Sequence, residues 1–252
     1  MRDPAAGLST RQLARIAGAL YLVNIVGGAF AIGYVNGTLL TDDLAATAHN
    51  IDSHLLLYRS GIAAHVIVTV TNVPLALIFY ELFKVVNRKL ALLDAFFVLV
   101  ATAIEAASLP SLFAPLALLD GKEYANAVPA SQLDVLASLT GALSDGSYNV
   151  YTVFFGFDIL ILAYLVIQSK FLPRVIGVLL AIDGAAYLVY SFSNVLAPGF
   201  ATHLVPWIQI PPPIAEGALS LWLLVTAVNI ERWNQAADEA SGIRSAHTEV
   251  LR

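Results

Sequence analysis

"TVFFGFDILILAYLVIQ", residues 152–168, is a greasy run interrupted by a single carboxylate, Asp158. Its length lies near the roughly 20 residues that an α-helix needs to span a bilayer core. Blocks of the same kind recur along the chain. The 252 residues are 58% hydrophobic and only 12% charged, with mean hydropathy +0.76. Soluble domains carry about 25% charged residues, so this chain lacks the polar surface to cover a water-exposed globule. The reading is an all-α, polytopic integral membrane protein whose first partner is the lipid bilayer.

Six spans are expected, at approximately Leu13–Val35, Tyr58–Phe83, Ala91–Leu119, Tyr148–Gln168, Arg174–Leu196 and Ile214–Trp233. Pro74 is expected to bend the second. Pro110 and Pro115 should kink the third or end it early, because a ring without an N–H breaks the helical ladder. Residues 1–233 then form one transmembrane domain, and 234–252 a polar cytoplasmic tail expected to be frayed or disordered. The first span begins like a signal peptide, with Arg11 and Arg15 before an apolar core and the small residues Ala29 and Ala31 after it. Its apolar stretch exceeds the roughly 7–15 residues of a signal core, so a retained helix is expected.

Of 13 Lys and Arg, eleven fall on one side of these spans, leaving Arg59 and Lys122 opposite. The positive-inside rule therefore predicts a multi-pass protein of the cell membrane with both termini in the cytoplasm. The cytoplasmic turns "KVVNRK" and "QSKFLPR" are tight. The outer connections "TDDLAATAHNIDSHLL" and "ASQLDVLASLTGAL" each open on a capping-type residue, which predicts short amphipathic helices on the outer surface.

A charged group at the bilayer centre costs about 2.5–3.5 kcal/mol on insertion scales, so such groups usually face a partner or a wet cavity. Arg15 to Asn24 and Arg174 to Asp183 are each nine residues apart, about 13 Å of helix. Asn72 and Asp158 each lie twelve residues from a lysine of the cationic side. A middle layer of Asn24, Asn72, Asp158 and Asp183 follows, on four spans. An outer layer holds Arg59, His65, Glu105 and Glu216. Tyr58, His65, Thr69 and Asn72 share one helical face, and Asp183 and Tyr187 begin a stripe on the fifth span. The same offsets suggest a faint internal repeat, which chance similarity between hydrophobic helices also explains.

The candidate ligand or proton site is therefore Arg59, His65, Asn72, Glu105, Asp158, Asp183 and Glu216, supported by Asn24 and Tyr187, in a pocket expected to open outward. Each has a plainer alternative. Asp158 can be a hydrogen-bonding helix tie, Arg59 an interfacial anchor, and His65 a hydrogen-bonded structural histidine. Glu81 and Asp94 read as surface charges pairing with Lys84, Arg88 and Lys89.

Several chemistries are excluded or unsupported. Without cysteine there is no disulfide, thiolate site or cysteine nucleophile. No lysine lies mid-span for a Schiff base. No paired-histidine metal motif, serine elbow or phosphate loop occurs. Neither a metal nor another cofactor is expected, and nothing in the charge balance points to nucleic acid.

"YRSGIAAH", "NVPLALIFYELFKVVNRKLALLDAFFVLVATAIEAA", "VFFGFDILILAYLVIQSKFLPRVIGVLLAIDGAAYLVYS" and "PPPIAEGALSLWLL" follow in an order that resembles the integral-membrane family known as domain of unknown function 4386. The resemblance spans nearly all of Leu13–Glu231. It implies a polytopic prokaryotic membrane protein without assigned activity, in which Arg59, Glu105, Phe155, Gly156, Leu172, Pro173, Arg174, Gly177 and Glu216 match recurrent residues. Asp158 stands where that pattern often has histidine, and Asp183 where it is usually small or apolar.

The leading functional expectation is binding or translocation of a small or amphipathic molecule, proton-linked through Glu105, Asp158 and Asp183. A second is a membrane enzyme acting on a lipid-like substrate, with His65 and Glu105 as acid and base. A third is an accessory subunit whose acids only join helices.

Overall fold

The structure, a computed structural model, describes residues 8–41, 43–120 and 130–250, with side chains at all of these except 44, 118–120, 130–138, 140 and 243–250. All regular elements among them are helical. Seven are labelled here: α1 Thr10–Leu39, α2 Leu44–Ser53, α3 Leu55–Ser108, α4 Ala130–Ser169, α5 Arg174–Leu196, α6 Pro211–Val225 and α7 Ile230–Val250. Five segments are long and apolar enough to cross a membrane: Thr10–Leu39, Leu55–Ala117, Gly141–Gln168, Arg174–Leu196 and Trp207–Val225.

The boundaries follow local chemistry. Ser9 and Gln12 form a capping box at the start of α1, satisfying donors that the first turn leaves open. Asp43 caps α2 through the backbone N–H groups of Ala45 and Ala46. In the middle of α3, Asn87 takes an extended conformation (φ −153°, ψ 104°), and its side chain accepts from the N–H groups of Lys89 and Leu90 at 3.1 Å. The long helix is thus two arms, 55–86 and 88–108, joined at an asparagine that breaks one helix and caps the next. The second arm ends at Ser108 and passes into a tighter turn, Leu109–Phe113, as Pro110 dictates.

Three expectations need correction. "ASQLDVLASLTGAL" is no separate surface helix but the first part of the 40-residue α4; no proline lies between Ala130 and Tyr148. The last span ends at Val225 and not Trp233, because the chain turns at Ala227, whose φ of 61° no helix accepts. The expected disordered tail begins as helix α7. Asn229 caps it through the N–H of Arg232, and the Trp233 indole donates to the Leu82 carbonyl at 3.0 Å. Lys122 lies outside the described residues.

Packing depends on small residues where backbones meet, the usual device for helices in lipid. A Cβ on Gly18 of α1 would stand 2.5 Å from the Leu224 nitrogen of α6, and the Ser220 hydroxyl donates to the Gly18 carbonyl at 3.0 Å. The α4–α5 contact is equally close. A Cβ on Gly177 would meet Ile167 at 2.5 Å, and one on Gly184 would meet the Gly156 carbonyl at 2.9 Å. One apolar core, from Ala14 through Phe83, Ile159 and Leu180 to Leu223, runs through these contacts. Outward faces stay apolar and exposed, as at Val70, Leu77, Phe96, Val175 and Leu221.

Candidate functional site: a buried core of acids and tyrosines

Helical periodicity turns a set of polar side chains inward at several levels. Toward the end of the bundle holding the start of α3, the two α3 arms meet through His65 and Glu105. His65 Nε2 lies 3.0 Å from Glu105 Oε1, while Glu105 Oε2 is buried without a hydrogen-bond partner. Deeper, the Asn24 amide of α1 donates to Asn72 Oδ1, and the Thr71 hydroxyl donates to Asn24 Oδ1. The structure therefore brings Asn24 and Asn72 together as a tie between α1 and α3.

A third level joins α3 to α4. Asp94 is only 2% exposed, and its carboxyl faces Asp158 within side-chain hydrogen-bonding reach. The surface role expected for Asp94 is thereby corrected, whereas Glu81 does pair with Lys84. The signal was present: Asp94 and Glu105 are eleven residues apart, three turns on one face. The proximity of Lys84, Arg88 and Lys89 in the sequence masked it. Two carboxylates are acceptors only, so a hydrogen bond between Asp94 and Asp158 requires a proton on one of them.

The fourth group gathers around Glu216. The Tyr187 hydroxyl donates to Glu216 Oε1 at 3.1 Å, and the Tyr21 hydroxyl reaches the same carboxyl. Asp183 lies within electrostatic range of Glu216. It is fully buried, and neither of its carboxyl oxygens has a hydrogen-bond partner. An aromatic column links the levels. Tyr148 stacks on Tyr151, Tyr151 on Phe155 at 5.4 Å, and Phe155 meets Tyr187 edge-on at 5.3 Å. Tyr151 is in electrostatic range of Glu105, Glu216 and Asp158.

Among the described residues the interior thus holds five acids, Asp94, Glu105, Asp158, Asp183 and Glu216, and His65 contacts Glu105. Arg59, at the start of α3, is exposed on the surface of the bundle. Among the described residues no three potential metal-ligating side chains come together. Beside His65 and Tyr58 the described residues leave a cleft of about 10 Å³, at the lower limit for one water. The large cavity, about 870 Å³, lies at the opposite end beside Asn87, Lys170, Arg174 and Arg232.

The model of the family described as Domain of unknown function (DUF4386) matches residues 16–227. No curated protein and no solved structure matches the chain.

Proposed function

The chain belongs to the DUF4386 family, and from its interior we propose a six-span cell-membrane protein that binds and translocates a small or amphipathic molecule in exchange with protons on its buried carboxyls. Asp183 carries the reading. A carboxyl that only ties helices together is held by donors on its neighbours, as Glu216 is by Tyr187. Asp183, with no such donor, is costly to keep unless it exchanges a proton or meets an occupant. Its neighbours supply further steps. Glu216 lies within electrostatic range of it, and the Asp94–Asp158 pair holds a proton when it hydrogen-bonds.

Two observations support six crossings with both termini inside. The segment Leu55–Ala117 has 63 residues, far more than one crossing needs, and breaks at Asn87. Arg88, Lys170, Arg174 and Arg232 gather at the end where that break lies, as the positive-inside rule requires of a cytoplasmic face.

The His65–Glu105 couple favours a second reading, acid–base catalysis on a lipid-like substrate. Asp183, whose buried carboxyl has no donor, has no part in that chemistry, so this reading ranks second.

The test uses proteoliposomes with an entrapped pH dye and a potassium–valinomycin potential. Wild-type protein is expected to raise proton entry above that of protein-free vesicles, and Asp183→Asn or Asp158→Asn to return it to background with helicity and elution unchanged. Wild-type vesicles no more proton-permeable than empty ones, both without added solute and with a panel of small and amphipathic solutes supplied on the opposite side, would sink the proposal.

A further inference from the structure

The cavity of about 870 Å³ at the cationic end takes no part in the carboxyl chemistry above. Its walls come from three places: the kink at Asn87, the turn between α4 and α5, and the exposed flank of α7. Each of the last two contributes cations. Lys170 belongs to the turn, Arg174 opens α5, and Arg232 lies in the first turn of α7. Glu239, two turns further along α7, is the one acid among the described lining residues, so the cavity carries net positive charge.

The turn holding these cations is built, not slack. Lys170 has φ of 57°, a left-handed conformation that a side-chain-bearing residue adopts only where its surroundings enforce it. Two bonds enforce it here. The Arg232 guanidinium donates to the Lys170 carbonyl at 2.9 Å, and the Asn229 N–H donates to the Phe171 carbonyl at 3.1 Å. Asn229, the residue that caps α7, sits two positions from Ala227, the second left-handed residue. The α7 helix is fixed in turn by Trp233 on Leu82. Both left-handed residues thus serve one purpose, holding Lys170 and Arg232 on the same cavity as Arg174. Arg174 adds the N-terminal end of a 23-residue helix, whose dipole favours negative charge. The floor is apolar, formed by Val85, Val86 and Leu172.

We propose that this cavity binds a phosphate-bearing anion, with Lys170, Arg174 and Arg232 as its ligands. Two arginine forks and an ammonium match the several oxygens and full charge of a phosphoryl group. Basic pockets between helices at a membrane's cytoplasmic face are suited to anionic headgroups, and the apolar floor suits the acyl end of such a lipid. A soluble phosphoester offers the same chemistry. The site stands independently of the translocation reading.

The test titrates detergent-purified full-length protein with short-chain phosphatidylglycerol, short-chain phosphatidylcholine and glycerol phosphate, reading binding by Trp fluorescence. Phosphatidylglycerol is expected to bind at least tenfold more tightly than phosphatidylcholine, and Arg174→Gln to weaken it about tenfold. Binding of glycerol phosphate at similar strength assigns a soluble phosphoester; binding of the lipid alone assigns a headgroup. Because a charge-removing variant can disturb the turn, Glu239→Gln provides the opposite sign. That exposed substitution should tighten anion binding several-fold. Equal binding of the two lipids, or a Glu239→Gln variant that binds no more tightly, overturns the proposal.

Discussion

The carboxyls of Asp94 and Asp158 face one another across the contact between α3 and α4, 64 residues apart in the chain. An acid–acid contact in an apolar interior is stable only with a shared proton, so it behaves as one unit. Asp94→Asn or Asp158→Asn alone is expected to change stability by less than about 1 kcal/mol, since an amide still donates. Asp94→Ala should cost about 1–3 kcal/mol by stranding its partner. A double-mutant cycle read by thermal unfolding in detergent checks this; additive alanine effects would show the two acids to be independent.

His65 is the partner of Glu105 Oε1, and Oε2 already lacks one. His65→Ala therefore leaves the whole carboxyl unpartnered and should cost about 2–3 kcal/mol. Adding Glu105→Gln should recover part of that loss. Equal melting temperatures for His65→Ala and the double variant would contradict the pairing.

Two glycines of α1 should respond with opposite signs. Gly18→Ala pushes a methyl into the Leu224 backbone and should destabilise by about 1–3 kcal/mol. Gly28→Ala meets nothing within 4 Å and should stabilise by up to about 1 kcal/mol through helix propensity. Chemical denaturation of both variants in one detergent gives the comparison.

Docking of α7 depends on Trp233. Trp233→Phe keeps most of the ring but removes the donor to Leu82, at a cost of about 1 kcal/mol. Faster proteolytic cleavage near Asn229, with the rest of the chain intact, is the expected outcome. An unchanged cleavage rate would mean that the indole bond does not hold the helix.

Much of this architecture is legible in the sequence, because hydrophobic blocks of membrane-spanning length have few alternative folds. The turns at Asn87 and Lys170 follow from the cation-rich breaks between hydrophobic blocks, and the early end of the second α3 arm follows from Pro110. Depth counted along helices puts Asn24 level with Asn72, and His65 in one layer with Glu105, without saying which of them touch. Depth counting fails where side-chain direction matters more than axial position. Asp94 is near the cations in sequence, yet its helical face turns it toward Asp158. The cavity location was equally illegible: it depends on how α7 folds back over the α4–α5 turn, which rests on Ala227, an alanine with no local signature for a left-handed turn. The continuity of α4 and the helicity of α7 were hidden by polar composition, which says little about conformation when helix formers are abundant.

The hydrogen bond from Ser220 to Gly18 spans 202 residues. In a chain made and inserted from its N-terminus, α1 enters the membrane long before α6 exists, and the groove at Gly18 meets lipid in the meantime. The bundle is therefore sealed by its last apolar helix, and the earliest helix is among the last to find its final neighbour. Assembly of this protein is a matter of waiting, with a ribosome setting the interval.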